Sequence, residues 1–271
     1  MKLGVSTATY FTRMYTEQAL APIAKLGAEV CEVFLATRSE YTQEFAQVLK
    51  QELAKARKTV PLEIHSVHAL TNQFEPELFS RNDRAYKDAL EVYEQVLALA
   101  KSVGATHYTY HGATMLKRAV KYKFDFKFIS SRVNTIVELA ENYGVKLCYE
   151  NVHWTYFSHP SYFEALKKLC PDLGCTLDIK QARQSGVDYT EYLKVMAGRL
   201  HTVHLCDYDS EGATAIPGRG IFDFVTFFKR LRELGFEGAC LMELYAKDYE
   251  NDGDLKEAYE FLKDCLDRSL T

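Results

Sequence analysis

Short apolar runs alternate with amphipathic, helix-like segments from one end of this 271-residue chain to the other. Eight of these runs are rich in β-branched and apolar residues and are followed by turn or helix signals, which is typical of buried strands. They cover Leu3–Thr7, Val30–Leu35, Leu62–Val67, Thr106–His111, Val145–Glu150, Cys175–Asp178, His201–Cys206 and Gly238–Glu243. Regular alternation predicts a parallel sheet, and eight units at this length predict a (β/α)8 TIM barrel that occupies residues 1–271 as a single domain.

The segments between the runs have helical spacing and recognisable ends. The longest, Asn82–Val103, begins at a capping Asn82 or Asp83 and stops at Gly104. The other predicted helices are Glu17–Leu26, Thr42–Lys58, Phe126–Tyr143, Pro160–Leu169, Asp188–Met196, Phe222–Leu234 and Asp254–Arg268. A doubly wound open sheet is the alternative architecture, but it usually carries a glycine-rich phosphate turn after its first strand. Here that turn, residues 6–10, contains no glycine.

Composition narrows the classes of partner. The chain is 47% hydrophobic and 26% charged with a net charge of −4, so we expect neither nucleic acid nor an anionic membrane surface as a partner. No apolar stretch approaches membrane-spanning length. Seven cysteines without a C-x-x-C pair predict free thiols in a reducing compartment. Because the sequence opens directly on a strand-like run, we expect no signal peptide and a cytoplasmic location.

Four metal-seeking side chains lie at the ends of four predicted strands. They are Glu150, Asp178, His204 and Glu243. Each has a plainer explanation when taken alone, such as a capped turn, a paired carboxylate or a hydrogen-bonded core histidine. Parallel strands, however, bring these ends together at one face, where three carboxylates and an imidazole would be costly without a cation. Oxygen-rich ligands with one nitrogen suit Mn²⁺, Mg²⁺, Co²⁺ or Zn²⁺, so we expect one divalent metal ion held by these four residues.

Further polar residues fit the same face. His68 follows the third run and His111 closes the fourth, so they are predicted either to contact substrate or to share Glu150 with a second metal ion; a polar barrel rim is the alternative. His153 lies three residues after Glu150 and is predicted to reach the substrate. His65 and His107 receive no role, because their direction cannot be read from the sequence.

The segment Ile216–Phe224 joins the seventh run to its helix and contains Arg219 between two glycines. The backbone can approach a ligand closely there while the guanidinium offers donors, so Arg219 is a predicted substrate contact. Lys180 and Arg183 either add positive charge at the barrel mouth or are solvated helix residues. Trp154 and Tyr245 lie at strand-end loops and are candidates for flat walls against a sugar, with buried loop packing as the alternative.

Several of these pieces together resemble the xylose isomerase-like barrel superfamily, the sugar phosphate isomerase/epimerase group that also contains AP endonuclease family 2. The resemblance covers nearly the whole chain. Its motifs are Ser66–Ala69, Tyr110–Gly112, Tyr149–Asn151, Leu177–Ala182, Val203–Asp207, Pro217–Phe224 and Met242–Glu243. It implies a divalent metal held by Glu150, Asp178, His204 and Glu243. In ketose epimerases of this group the two glutamates also move the proton.

The chain departs from that pattern where the endonucleases bind a third metal ion. They have a histidine three residues after the aspartate of strand six, where this chain has Gln181, and an Asp-x-His for which residues 212–214 supply no ligand. The resemblance therefore implies that the third metal site and DNA cleavage are absent. Many ketose epimerases also carry that histidine near the substrate, and we expect Gln181 to contact the substrate in its place.

The leading hypothesis is a metal-dependent isomerase or epimerase that acts on a sugar, sugar phosphate or related polyol. An enediolate-type proton transfer would use Glu150 and Glu243 on opposite faces of a small carbohydrate substrate. An inosose-type dehydratase, a lyase, is the alternative on the same scaffold. An AP endonuclease-like phosphodiesterase and a non-catalytic binding barrel rank below it. A homo-oligomer is compatible with the sequence.

Overall fold

The protein is a closed barrel of eight parallel strands, as the sequence predicts. The structure is a computed structural model that describes residues 1–115 and 123–270. The barrel strands are β1 (Lys2–Ser6), β2 (Val30–Leu35), β3 (Glu63–Ala69), β4 (His107–Tyr110), β5 (Lys146–Glu150), β6 (Gly174–Asp178), β7 (Leu200–Leu205) and β8 (Ala239–Met242). Each strand pairs with its neighbours in the chain, and β8 pairs with β1 to close the barrel.

Helices follow the strands along the chain. They are α1 (Leu20–Lys25), α2 (Gln43–Ala56), α3 (Asp83–Val103), α4 (Phe126–Asn142), α5 (Pro160–Leu166), α6 (Ile179–Gln184), α7 (Tyr189–Met196), α8 (Phe224–Glu233) and α9 (Asp252–Arg268). The predicted ends of α3 are confirmed, since the Asn82 side chain accepts from two backbone N–H groups and Gly104 has φ 83°. Within residues 1–115 and 123–270, none of the helices has the length and apolarity to span a membrane.

Several elements differ from the sequence-based prediction, among them the short helix α6, which was not predicted between β6 and α7. The first predicted helix is a 3-10 turn, Thr16–Ala19, followed by the short α1, which contains Pro22 near its start. Pro22 has no backbone N–H to donate to the carbonyl oxygen four residues earlier, so the α-helix cannot extend into the preceding turn. After β7 the chain forms a small antiparallel hairpin, Asp207–Tyr208 with Thr214–Ala215, which the sequence did not indicate. The other predicted elements are present with ends shifted by a few residues.

Apolar side chains fill the space between strands and helices, whereas many buried strand residues are polar. A large apolar cluster contains side chains of the strands and of the helices packed against them, among them Val5, Val33, Val96 and Phe227. A second cluster contains only Val30, Ala239 and Leu241. TIM barrel interiors are usually filled with branched apolar side chains. Here the strands instead contribute buried polar residues, including Ser6, Glu32, Ser66, Thr109, Thr176 and Thr202.

Three histidines lie toward the amino-terminal ends of the strands. The rings of His65 and His107 stack with centroids 4.3 Å apart, and His201 lies 5.2 Å from His107. His65 Nε2 lies 2.9 Å from Thr202 Oγ1, and His107 Nδ1 lies 2.8 Å from Thr106 Oγ1. Burial, and then repulsion from His107, lowers the pKa of His65 to about 3. Burial, and then repulsion from His201, lowers the pKa of His107 to about 4.

We predict that these histidines make the protein less stable in mild acid. These imidazoles take up protons near pH 6.5 in the unfolded chain, whereas in the folded protein the pKa of His65 is about 3 and that of His107 about 4. At these sites the unfolded state therefore binds more protons in this window, and their contribution to the free energy of unfolding decreases as the pH falls through it.

Urea unfolding between about pH 7 and pH 5 measures this slope. His107→Gln should flatten it, because one imidazole with a lowered pKa is gone. His159→Gln, at the exposed histidine, controls for the loss of an imidazole as such. Equal slopes in the His107 variant and the parent would contradict the prediction.

Candidate metal centre

The four predicted metal ligands converge at the carboxyl ends of the strands. Glu150 and Asp178 end β5 and β6, His204 is the penultimate residue of β7, and Glu243 directly follows β8. His204 Nδ1 lies 2.9 Å from Glu150 Oε1 and 2.7 Å from Glu243 Oε2. One possible ligand atom each from Glu150, Asp178 and His204 fall within 4.8 Å of one another. Glu243 belongs to an overlapping group with His204, Glu32 and His68, so His204 joins the two groups.

The donor set fits a divalent cation. Glu150, Asp178 and His204 are at most 2% exposed. Glu243 Oε2 and His204 Nε2 are buried atoms that no protein group in the described ranges hydrogen-bonds. Buried polar atoms normally have partners, so the carboxylate oxygen of Glu243 indicates a place for a positive ligand. Three carboxylates and one imidazole supply the oxygen-rich set that Mn²⁺, Mg²⁺, Co²⁺ and Zn²⁺ accept.

Asn151 fixes the ends of β5 and β6 relative to each other. Its Nδ2 donates to the Asp178 carbonyl oxygen at 2.9 Å, and its Oδ1 accepts from the Asp178 N–H at 2.8 Å. Asp178 Oδ1 accepts from the N–H of Gln181 at 2.9 Å, which caps α6. Asp178 therefore keeps Oδ2 free of the cap, so one carboxylate both begins a helix and faces the cluster.

His68 and His111 face the same cluster. Their Nε2 atoms lie only 2.7 Å apart, and His111 Nε2 lies 3.2 Å from Glu150 Oε2. Two imidazole nitrogens at this separation need a proton or a metal ion between them, because two lone pairs would repel. The grouping of His68, His111 and Glu150 thus offers a second possible cation position beside the first.

Two buried carboxylates behind these histidines were missed by the sequence analysis. Glu32 Oε1 lies 3.1 Å from His68 Nδ1 and 3.1 Å from His204 Nε2. Glu75 Oε2 lies 3.2 Å from His111 Nδ1. A single acid inside the otherwise apolar run Val30–Leu35 was a usable signal for Glu32. For Glu75, which begins the 3-10 helix Glu75–Phe79, the sequence contained no comparable signal.

The buried negative charge perturbs the imidazoles. Burial opposes ionisation of His68, but the Glu32 carboxylate outweighs it and raises the pKa of His68 to about 9. Burial likewise opposes ionisation of His204, while Glu243 and Glu32 raise its pKa well above the ordinary value. Burial raises the pKa of Asp178 to about 6, against the opposing effect of Lys180. Without a metal ion, protons on histidines therefore supply the positive charge that the cluster requires.

Lys180 is buried at the cluster rather than solvated. Its Nζ lies 3.5 Å from Asp178 Oδ2 and 3.9 Å from Glu243 Oε1, and it lies 4.3 Å from the centroid of the Tyr245 ring. The side chain is only 4% exposed. Of the two readings from sequence, the structure favours positive charge at the mouth for Lys180. Arg183 is exposed, with its guanidinium 5.4 Å from the Tyr208 ring centroid.

The cluster opens into a cavity of about 270 Å³. Its walls include the two predicted aromatic candidates Trp154 and Tyr245, together with Phe11, Phe34 and Gln181. Gln181 Oε1 accepts from His153 Nδ1 at 2.5 Å and from its N–H at 3.2 Å. Gln181 rather than His153 therefore lines the cavity. A larger cavity lies between residues 11–18 and 36–45, but it lacks the grouped ligands found here.

Arg219 is not brought to the cavity, which corrects its predicted role. Its Nη2 donates to Asp254 at 2.6 Å and to Glu257 at 2.9 Å, both on α9. The buried Asp207 carboxylate holds the loop in this conformation. The carboxylate accepts hydrogen bonds from the backbone N–H groups of Tyr208, Gly218, Gly220 and Phe222. A Cβ at Gly220 would lie 2.2 Å from Asp207 Oδ1, so the glycine permits close approach to a carboxylate rather than to substrate.

Comparisons with known proteins agree with this architecture. A curated relative, the uncharacterized protein MJ1311 of Methanocaldococcus jannaschii, is 26% identical over 98% of this chain and 90% of its own. A D-tagatose 3-epimerase-like protein superposes with a TM-score of 0.80 at 22% identity, covering 100% of this chain and 98% of that one. D-psicose 3-epimerase from Clostridium cellulolyticum H10 gives 0.78 at 17%, covering 98% and 99%.

A third solved structure, an IOLI protein with a bound zinc atom, gives a TM-score of 0.74 at 19% identity and covers 99% of this chain and 98% of that one. At these identities the superpositions show a common fold. Residues 20–265 match the family model for the xylose isomerase-like TIM barrel. That match spans most of the sequence, and the closed eight-stranded barrel agrees with it. The chain therefore belongs to the xylose isomerase-like TIM barrel family.

Proposed function

We propose that this protein is a divalent-metal-dependent isomerase or epimerase of a sugar, sugar phosphate or related polyol. The observation that carries the proposal is that Glu150 and Glu243 both contact His204, with Asp178 beside them, and that these three carboxylates line an aromatic-walled cavity. Solved structures of sugar 3-epimerases share the fold, which supports a carbohydrate substrate. The zinc-containing neighbour supports a metal ion in this fold.

The first ion would be held by Glu150, Asp178, His204 and Glu243. The chemistry of these ligands suits Mn²⁺, Zn²⁺, Co²⁺ or Mg²⁺. When bound, it supplies charge stabilisation to adjacent carbonyl and hydroxyl oxygens of the substrate. His68, His111 and Glu150 would hold a second ion. If that position carries no ion, the two imidazoles contact the substrate instead, because both line the cavity.

Glu150 and Glu243 are the proposed acid and base. They come from β5 and β8 and approach His204 Nδ1 from two sides. One carboxylate takes the proton from the carbon beside the carbonyl and leaves an enediolate. The other carboxylate returns a proton, to the opposite face in an epimerase. Lys180 and Gln181 line the same cavity and would donate to substrate oxygens. The aromatic walls exclude water from the intermediate.

An inosose-type dehydratase is the second candidate, because loss of water from a keto-inositol begins with the same proton abstraction. Product analysis on keto-inositols separates it from an epimerase. An endonuclease is disfavoured because the residues at the place of its third metal site supply no metal ligand and have other partners. Gln181 is engaged by His153, and Thr214 Oγ1 donates to Asp248 at 2.8 Å.

We predict that Asp178→Ala and His204→Ala each lose most of the bound metal. Each removes a ligand and leaves an incomplete set. Elemental analysis of protein purified in Mn²⁺ or Zn²⁺ measures the content. Asp267→Ala, at an exposed aspartate on α9, is the matched control and should keep its metal. Full occupancy in both site variants would contradict the assignment of the ligands.

We predict that Glu150→Gln and Glu243→Gln retain the fold but lose proton transfer. An amide cannot accept the proton, so kcat should fall by about 100-fold or more. Solvent deuterium should no longer enter the reacting carbon. The substrate is first found by screening ketoses, their phosphates and keto-inositols.

Metal content is measured in parallel, so that a lost ion is not mistaken for a lost base. Glu233→Gln, at an exposed glutamate of α8, is the control. Wild-type turnover by metal-loaded Glu243→Gln would rule out the two-glutamate mechanism and leave the metal site standing.

A further inference from the structure

Glu32 is a buried carboxylate in the barrel interior with several donors around it. It is 0% exposed. Its Oε2 accepts from Ser66 Oγ and from Thr109 Oγ1, each at 2.7 Å. Its Oε1 accepts from Ser6 Oγ at 3.1 Å. Hydroxyls from β1, β3 and β4 therefore hold the carboxylate in one orientation.

The same Oε1 atom faces two histidines of the candidate metal centre. His68 Nδ1 lies 3.1 Å away with hydrogen-bond geometry. His204 Nε2 also lies 3.1 Å away, at an angle short of a hydrogen bond. Such contacts in a ligand-free site often tighten when the site is filled. The two rings stack with centroids 5.6 Å apart, so one oxygen reaches both.

A carboxylate only accepts hydrogen bonds, so each imidazole must place an N–H toward Glu32. The opposite nitrogen of each ring is then the one available to a metal ion. For His204 that atom is Nδ1, which faces Glu150 and Glu243. For His68 it is Nε2, which faces His111 Nε2. A metal-bound histidine commonly donates its other N–H to such a carboxylate, which fixes the ring and its tautomer.

We propose that Glu32 is a positioning residue that serves both cation positions at once, by fixing the tautomer and ring orientation of His204 and of His68 through one oxygen. This inference rests on the proposed metal dependence. One buried glutamate would then affect both metal positions, because it contacts a histidine of each. Among the described residues, no other carboxylate contacts the outer nitrogens of both histidines.

Glu75 provides the matched comparison, because it supports only the second position. It accepts from Tyr108 Oη at 2.7 Å, from the His111 N–H at 2.9 Å and from His111 Nδ1 at 3.2 Å. Within the described residues, Glu75 forms a hydrogen bond with neither His204 nor His68. The two glutamates are thus equivalent in burial and chemistry but differ in which imidazoles they hold.

Glutamine at position 32 keeps the shape but replaces one acceptor oxygen with an NH2 donor. Five donors converge on Glu32, so an amide must face at least one of them with the wrong group. An amide N–H facing an imidazole would move the ring proton to the metal side. Loss of such supporting groups typically weakens metal binding by about 10-fold to 100-fold.

The test titrates metal-free protein with Zn²⁺ alone by calorimetry. Glu32→Gln should weaken binding at both positions by about 10-fold to 100-fold, and Glu75→Gln only at the second. Thr109→Val removes a hydroxyl donor to Glu32 but no donor from an imidazole. It should weaken zinc binding at either position by less than Glu32→Gln does. If the parent binds one ion, at the first position, Glu32→Gln must still weaken it and Glu75→Gln must not.

Parental zinc affinity in folded Glu32→Gln would overturn the inference and leave the metal-dependent function intact. A parent chain that binds no divalent ion would instead overturn the proposed function, and this inference with it. If Glu32→Gln does not fold, imidazole ¹⁵N spectra of the zinc-loaded parent provide the test. Protons on His204 Nε2 and His68 Nδ1 support the proposal, and the reversed tautomers overturn it.

Discussion

The structure depends on a concentration of negative charge buried at the carboxyl ends of the barrel strands. Five carboxylates lie there within hydrogen-bond or ion-pair reach of imidazoles or Lys180: Glu32, Glu75, Glu150, Asp178 and Glu243. Burying carboxylates without partners is costly, so each must be paired or must bind a cation. The positions of His68, His111, His204 and Lys180 follow from that requirement, as do the hydroxyls that surround Glu32.

The barrel can carry this charge because its stability comes mainly from another layer. The large apolar cluster packs strands against helices, whereas the second apolar cluster contains just Val30, Ala239 and Leu241. Side chains in the interior are therefore free to be polar along much of its length. The cost appears at the amino-terminal end, where His65, His107 and His201 are half-buried with lowered pKa values, and at the carboxyl end, where cations are required.

The loops at the mouth divide into those that support the site and those that support the fold. Asn151 and the cap of α6 hold Asp178 in place, and Trp154 and Tyr245 form cavity walls. The loop around Arg219 is organised by Asp207 and attached to α9, away from the cavity. A conspicuous sequence motif can thus serve loop architecture, while the chemistry comes from less conspicuous strand residues. The fold supports many reactions, so substrate identity depends on these local groups.

The sequence alone determined what depends on local periodicity. The alternation of strand and helix gave the barrel, the capping residues gave the ends of α3, and strand ends gave Glu150, Asp178, His204 and Glu243. Because the catalytic groups of TIM barrels lie at the carboxyl ends of the strands, these four residues could be proposed as ligands without coordinates.

Tertiary structure decided the partnerships across the barrel. Glu32 meets Ser66 and Thr109, which are 34 and 77 positions away in the chain, only because closure and register bring them together. The same register buries Lys180 beside Asp178 and sets Gln181 in the cavity wall. Arg219 turned outward because acceptors on α9 were within reach. Such contacts depend on distances between distant segments, and no local pattern in a single sequence encodes those distances.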